Sequence, residues 1–346
     1  MISPRNKSDS SNTMKEGHTF NTSGSSKSTE TFEQPLLNFP VRVVVPTNLN
    51  KNNVTNINCL SEGSSATVFT GYFQGEQVVL KLSNDDGKVR DQHDGEVEVE
   101  HCVLERLCHP NIVQIQGAGY CKTKKFIVLE YLNGGSLYDL LEQKRSITIK
   151  PKKQKRSLFS LFNRSKVVPA PVLIIQEVVS IAKQIVQALE YLHESWHPNA
   201  TIIHRDLKPQ NIAISSTGVV KLIDFGLMTC VKKRTHVAET YQMTGFVGSL
   251  RYMAPEVVNH RPYNEKVDIY SFGIILWELA TGKISFEGMT REAYIEKVVK
   301  GGLRPSLKGI NPVMAKLISN CWNDNFLFRP TSSEILAKLE EMKNLQ

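Results

Sequence analysis

The stretch "IIHRDLKPQNIAIS", Ile202 to Ser215, decides how this chain folds, because it sets His204, Arg205, Asp206 and Lys208 between two apolar runs. An ionised group taken out of water is costly unless it is paired, hydrogen-bonded or metal-bound. Partners must therefore come from elsewhere in the chain. "NIAIS" and the following "VVKLID" flank a Thr217–Gly218 turn and read as a hairpin. Asn211 and Asp224 are nearly equidistant from that turn, so pairing brings their side chains close together at the open end, where Asp206 also lies. An acceptor oxygen from each, joined by phosphate oxygens, makes a hard-oxygen set suited to Mg²⁺.

Upstream, a second buried charge is expected at Lys81, inside the apolar run "VVLKL". A lysine there needs an anion. On the helix that follows, Val97, Glu100, Leu104 and Leu107 recur at spacings of three and four, which puts Glu100 on the inward face while Glu98 and Glu105 point elsewhere. Glu96, one turn earlier, is the only rival.

At 346 residues and 40% apolar content, the chain is long enough for one large core or two modest lobes. Residues 1–52 read as a disordered Ser/Asn-rich tail, the first 38 almost empty of apolar periodicity, with "FPVRVVVP" as a short strand ahead of the fold. Three antiparallel strands are expected between Ile57 and Leu82, a helix from about Arg90 to Leu107, and strands at "IVQIQGAGY" and "FIVLEY". "GGSLYDLLEQ" starts a helix. Longer helices are expected at Gln176–His193, Lys266–Ala280, Glu292–Val299, Pro312–Asp324 and Ser332–Lys343. Sheet first and helices after make a two-lobed α+β chain, with a small lobe over 53–132 and a large lobe over 133–346.

The net charge of +8 is local. Residues 143–171 hold nine Lys or Arg and no Asp or Glu, which leaves −1 for the rest of the chain. That basic insert, with Leu158, Phe159, Leu161 and Phe162 behind "KPKKQKR", suits an anionic membrane surface or a partner's groove; nucleic acid is the less favoured partner. The six cysteines show neither a C-x-x-C pair nor zinc spacing. With no secretory signal and no long apolar segment, the expectation is a soluble, cytoplasmic protein with reduced thiols, a secreted effector remaining open.

Taken together, "VVLK" at 78–81, "HRDLKPQN" at 204–211, "DFG" at 224–226 and "APE" at 254–256 resemble the eukaryotic-type protein kinases in identity and order. "HPNIV" at 109–113, "DIYSFGIILWEL" at 268–279 and "CWNDNFLFRP" at 321–330 extend the likeness over roughly residues 55–342, and the late motifs look most like the tyrosine-kinase-like group of Ser/Thr kinases. The resemblance implies a bilobal kinase fold, a small antiparallel-sheet lobe above a larger helical lobe, with ATP and Mg²⁺ as cofactors and proteins as substrates. It implies that Lys81, paired with Glu100, holds the α- and β-phosphates of ATP. Asp206 would orient the substrate hydroxyl and accept its proton, Lys208 would sit beside the transferred phosphoryl, and Asn211 and Asp224 would hold Mg²⁺. Ser61, Gly63, Ala66, Val68, Val79, Leu129, Glu130 and Leu132 would line the nucleotide pocket, although "SEGSSATV" has Ser61 and Ala66 where the family usually has glycine. A positive φ at Ala66 would be strained.

Lys208 and Ser249 resemble the residues of Ser/Thr kinases, Ser249 bridging the catalytic Asp and Lys next to the peptide-docking segment. Arg205 belongs to an arrangement that often receives a phosphate on the activation segment, here Asp224–Glu256, with Thr240 and Thr244 as the best acceptors and Thr235 and Tyr241 behind them. Glu256 with Arg329 resembles a buried structural pair, and Asp268 the brace of the catalytic loop. The irregular loop keeps open an alternative, a pseudokinase scaffold with weak or no catalysis. A lipid or small-molecule kinase is disfavoured by "GSLRYMAPE".

Overall fold

The computed structural model describes residues 39–85, 95–149 and 173–342. β1 (Val54–Glu62), β2 (Ala66–Phe73) and β3 (Glu76–Ser83) form an antiparallel meander. α1 (Glu96–Leu104) follows, and then β4 (Ile115–Cys121) and β5 (Lys124–Glu130) complete a five-stranded sheet of order β1-β2-β3-β5-β4. Below it lie α2 (Leu137–Ile149) and α3 (Ile175–Glu190), whose last turn widens into a π-turn at Tyr191–Ser195. β6 (Ala200–Ile203), the hairpin β7 (Ile212–Ile214) and β8 (Val220–Leu222), and β9 (Thr229–Lys232) carry the loops between the lobes. β6 pairs with β9, Ile203 opposite Thr229. The large lobe closes with α4 (Pro255–Val258), α5 (Lys266–Thr281), α6 (Arg291–Tyr294) running into a second π-turn at Ile295–Lys300, α7 (Pro312–Cys321) and α8 (Ser332–Met342). The expected two-lobed α+β order holds.

α5 is the axis of the large lobe. It is apolar nearly all round, with Ile269, Tyr270, Phe272, Ile274, Ile275, Leu276 and Leu279 fully buried, as expected of a helix enclosed on every side. Gly273 allows α7 to approach, since a Cβ there would lie 2.8 Å from that of Cys321. Helix ends differ from expectation by a residue or two, except at α1, which ends at Leu104 rather than Leu107, and at α7. There Asn311 caps the start, and the chain turns at Trp322, which frees Asp324 to pair with Arg304.

Two expectations change. Residues 39–52, assigned to the tail on composition, pack as a strap over the fold and form no strand at "FPVRVVVP". The backbone amides of Arg42 and Val43 donate to the Glu105 carbonyl at the end of α1, both at 2.8 Å. The Arg42 guanidinium reaches the Tyr191 hydroxyl and the Trp196 carbonyl, and Phe39 packs edge-on against Trp196. Leu49, buried, bridges to Gly119. These polar and aromatic contacts have no periodicity, so composition could not register them. The basic insert begins inside α2, which runs to Ile149; its remainder, 150–171, lies outside the described residues, as do residues 1–38 and the expected helix start at 90–94.

Arg329, 2% exposed, makes a bidentate pair with Glu256 at 2.5 and 2.9 Å and also donates to the carbonyls of Asn323 and Lys266. Removing one partner strands a buried charge. Arg329→Met is expected to destabilise the protein by about 3–5 kcal/mol in urea denaturation, and the double variant Arg329→Met, Glu256→Leu by less than the single.

Candidate active site

Three separate elements converge on Lys81. Its Nζ, at the middle of β3, donates to Glu100 Oε2 of α1 and to Asp224 Oδ1 beyond β8, both at 2.6 Å. The second oxygen of Glu100 accepts the Phe225 amide at 2.9 Å, so one carboxylate fixes both the lysine and the backbone beside Asp224. Glu96, the rival, instead accepts a hydrogen bond from Ser65. Phe225 is fully buried and packs on His204 at 5.0 Å between ring centres. Burial acts to lower the Lys81 pKa, but Glu100 and Asp224 outweigh it and hold the ammonium above its ordinary value. Burial pushes the Glu100 carboxyl up, against the Lys81 ammonium. Asp224 moves the other way: burial would raise it, yet Lys81 holds it below the usual carboxylate range.

A second cluster forms around Asp206. Its Oδ2 accepts from Lys208 Nζ at 2.6 Å and from Asn211 Nδ2 at 2.9 Å, and its Oδ1 accepts the Ser249 amide at 2.9 Å. Lys208 also donates to Ser249 Oγ at 3.0 Å. Gly248 makes this approach possible: its φ is +95°, and a Cβ there would lie 2.4 Å from the Arg205 carbonyl. Beneath, the buried Asp268 accepts the amides of His204 and Arg205 at 2.8 and 2.9 Å and shares His193 Nε2 at 2.9 Å. Burial would raise the Asp268 carboxyl, but the hydrogen bond and charge of His193 hold it low. Arg205 and Asp224 both adopt left-handed backbone, at φ +67° and +68°, a strained conformation for side-chain-bearing residues that the surrounding bonds enforce.

The two clusters meet at the hairpin's open end. Ile223 donates its amide to the Asn211 carbonyl at 2.9 Å, which holds Asp224 one residue past the ladder, while the Asn211 side chain turns its NH₂ toward Asp206. Asp224 thus faces Lys81, with 41% of its side chain exposed. One partly exposed carboxylate and one amide whose donor end is already used fit a hard divalent cation that keeps several waters and phosphate ligands, as Mg²⁺ does.

The remaining predicted residues flank this cleft. Val79 pairs with Leu129 across β3 and β5, Leu129 being 6% exposed, which is compatible with either core or pocket. The Glu130 carboxylate accepts from Lys221 and its amide donates to the Gln114 carbonyl, whereas the backbone of Leu132 is engaged by no described residue. Ser61, exposed near the end of β1, pairs with Val68, which also pairs with Lys81, and Gly63 is exposed on the β1–β2 turn. Ala66 is a buried strand residue paired with Ser83 and does not have a positive φ, so the strain expected there is absent.

A family model described as the protein kinase domain matches residues 54–339. The chain belongs to the protein kinase family. It is 33% identical to the serine/threonine-protein kinase STY46 of Arabidopsis thaliana over 82% of this chain and 43% of the relative. It is 36% identical to the Arabidopsis serine/threonine-protein kinase VIK (84% and 60%) and 31% identical to mitogen-activated protein kinase kinase kinase 13-B of Xenopus laevis (83% and 25%). The chain therefore spans about half the length of the first two relatives. Such relatives are in keeping with the expected likeness to the tyrosine-kinase-like group.

Sequence reasoning missed the residues that pin the Gly-rich loop of this kinase domain. Asn84 Nδ2 donates to the Gly63 carbonyl at 2.8 Å, its Oδ1 accepts from Thr67 at 2.8 Å, and its amide donates to Ser65. An Asn at a strand end reads only as a turn residue. In the activation segment, Thr244 and Thr235 are exposed and Thr240 half-buried, while the Tyr241 hydroxyl is tied to the Lys232 carbonyl. Arg205 donates to the carbonyls of Leu227 and Met228 and contacts the Tyr263 hydroxyl, which donates to the Thr244 carbonyl.

The lowered pKa of Asp224 fixes the sign of one acid-range effect. A carboxylate depressed by folding contributes stability above its unfolded value, about 3.9, and loses it as pH falls through the folded value. The stability difference between the wild type and Asp224→Asn, read from urea midpoints, is expected to be constant above about pH 5 and to shrink below about pH 4.

Proposed function

We propose that this chain transfers the γ-phosphoryl group of ATP to serine and threonine hydroxyls of protein substrates. The observation that carries the proposal is the juxtaposition of a Lys81–Glu100–Asp224 cluster with an Asp206–Lys208–Asn211–Ser249 cluster at one hairpin end. Lys81, charged and held from behind by Glu100, would bind the α- and β-phosphates. Asp224 and Asn211 would hold Mg²⁺, which supplies charge neutralisation across the phosphate oxygens. Asp206, positioned by three hydrogen bonds, would orient the attacking hydroxyl and receive its proton. Lys208 would offset negative charge on the phosphoryl in flight, and Ser249 keeps it there by accepting from its ammonium. In this reaction positioning and electrostatics supply most of the acceleration.

Two further features support an active enzyme over a scaffold. The full polar set is in place, and Ala66, one of the two departures from glycine, sits in a regular strand without a positive φ. Lys208 and Ser249 favour serine and threonine over tyrosine. We also propose activation by autophosphorylation at Thr240 and Thr244, which lie on the segment that Arg205 and Tyr263 anchor. All six cysteines are free, in keeping with a reducing, cytosol-like setting. No described helix is long and apolar enough to cross a membrane. The basic insert is a candidate contact for an anionic surface or partner on its composition alone.

Incubation with ATP, Mg²⁺ and a generic basic protein, followed by mass-spectrometric site mapping, is expected to place phosphate on Ser and Thr. Asp206→Asn should reduce the rate by several orders of magnitude without loss of fold. Incorporation no greater than in that variant would favour the scaffold reading. Thr240→Ala, Thr244→Ala should lower activity severalfold after preincubation with ATP, and unchanged activity would remove the activation proposal.

A further inference from the structure

α1 has a second chemical face. Turned away from Lys81, at spacings of three and four, stand Glu98, His101, Cys102 and Glu105. The ligand atoms of Glu98, His101 and Cys102 all lie within 4.8 Å of one another. His101 is 6% exposed, and neither ring nitrogen makes a hydrogen bond. The Glu105 carboxylate stands beside Nε2, whereas the buried Nδ1 has no hydrogen-bond partner and calls for a ligand. Nδ1 lies 4.0 Å from Glu98 Oε1, and Nε2 lies 3.2 Å from Glu105 Oε1 on the other side of the ring.

We propose that Glu98, His101 and Cys102 form a site for a borderline-soft divalent cation, zinc being the best match, with water as fourth ligand. Carboxylate, imidazole and thiolate are its usual donors, and a tetrahedral ion needs them roughly 3.3–3.6 Å apart. Small rotamer changes on one helix face close the gap from 4.8 Å. With Nδ1 on the metal, the opposite N–H faces Glu105, which would orient the ring as carboxylates commonly do behind a metal-bound histidine. Forming the metal–sulfur bond would release the Cys102 thiol proton to solvent. Lys125, from β5, occupies Glu98 at 3.2 Å and is the cation's competitor. Since α1 also carries Glu100, a bound ion would load the outer face of the helix whose inner face holds Lys81.

Cobalt is a suitable probe, because its thiolate complexes absorb. The reduced, chelator-treated full chain is titrated with Co²⁺ and then with Zn²⁺. One equivalent of cobalt is expected to give a thiolate-to-metal band that zinc abolishes. Cys102→Ser should remove the band, Glu98→Gln should weaken cobalt binding about tenfold or more, and Lys125→Met should tighten it roughly twofold to fivefold. No band in the wild type overturns the site, as does a band retained in Cys102→Ser, which would place the metal on an exposed thiol such as Cys59 or Cys108. Unaltered affinity in Glu98→Gln or in Lys125→Met overturns it too. Should Cys102→Ser fail to fold by circular dichroism, the Glu98 and Lys125 variants decide. None of these measurements depends on phosphoryl transfer.

Discussion

One ammonium held between two carboxylates organises the cleft. Lys81 ties together β3, α1 and the loop after β8. Burying these charges separately would be prohibitive; together they nearly neutralise one another and leave one carboxylate charge in excess. That excess sits on Asp224, the member that still reaches solvent, which is where an incoming cation meets it. The Asp206 cluster repeats the pattern one loop away, with Lys208 and Asn211 around a single carboxylate. Balanced charge at depth, with the surplus turned outward, is how a protein can prepare for a metal–polyphosphate without collapsing in its absence.

The same helix also connects regions that no single motif joins. α1 presents Glu100 inward, offers the Glu105 carbonyl at its end to the strap, and pairs Glu98 with Lys125 of β5. Its position is therefore set from three directions. Since the Lys81 pairing needs Glu100 within hydrogen-bond reach, anything that shifts the strap or the outer face shifts the cleft.

Much of this was legible in the amino-acid order, and the reason is physical. Lys81, Glu100, Asp206 and Asp224 announce themselves because charge inside apolar runs has few stable explanations; the long α3 is written in its periodicity, and α5 in the length of its apolar run. The strap was not legible: its bonds come from backbone amides and one arginine reaching across more than a hundred residues, and its composition reads as tail. Nor was the β6–β9 ladder, whose strands are four residues each and separated by the whole catalytic loop and hairpin. Ala66 misled in the opposite direction. Judged against the family's pattern it promised strain, whereas the strand absorbs it as an ordinary residue. Asn84 and His101 matter only through neighbours that the fold supplies.

That short ladder has a topological consequence. Ile203 opposite Thr229 closes a lariat whose noose, residues 204–228, contains Asp206, Lys208, Asn211 and Asp224 together. Cinching its neck costs loop entropy before any of the noose's own bonds can repay it. The four side chains are consequently gathered by one closure: pairing β6 with β9 brings them to the cleft as a set, and opening that neck would release them together.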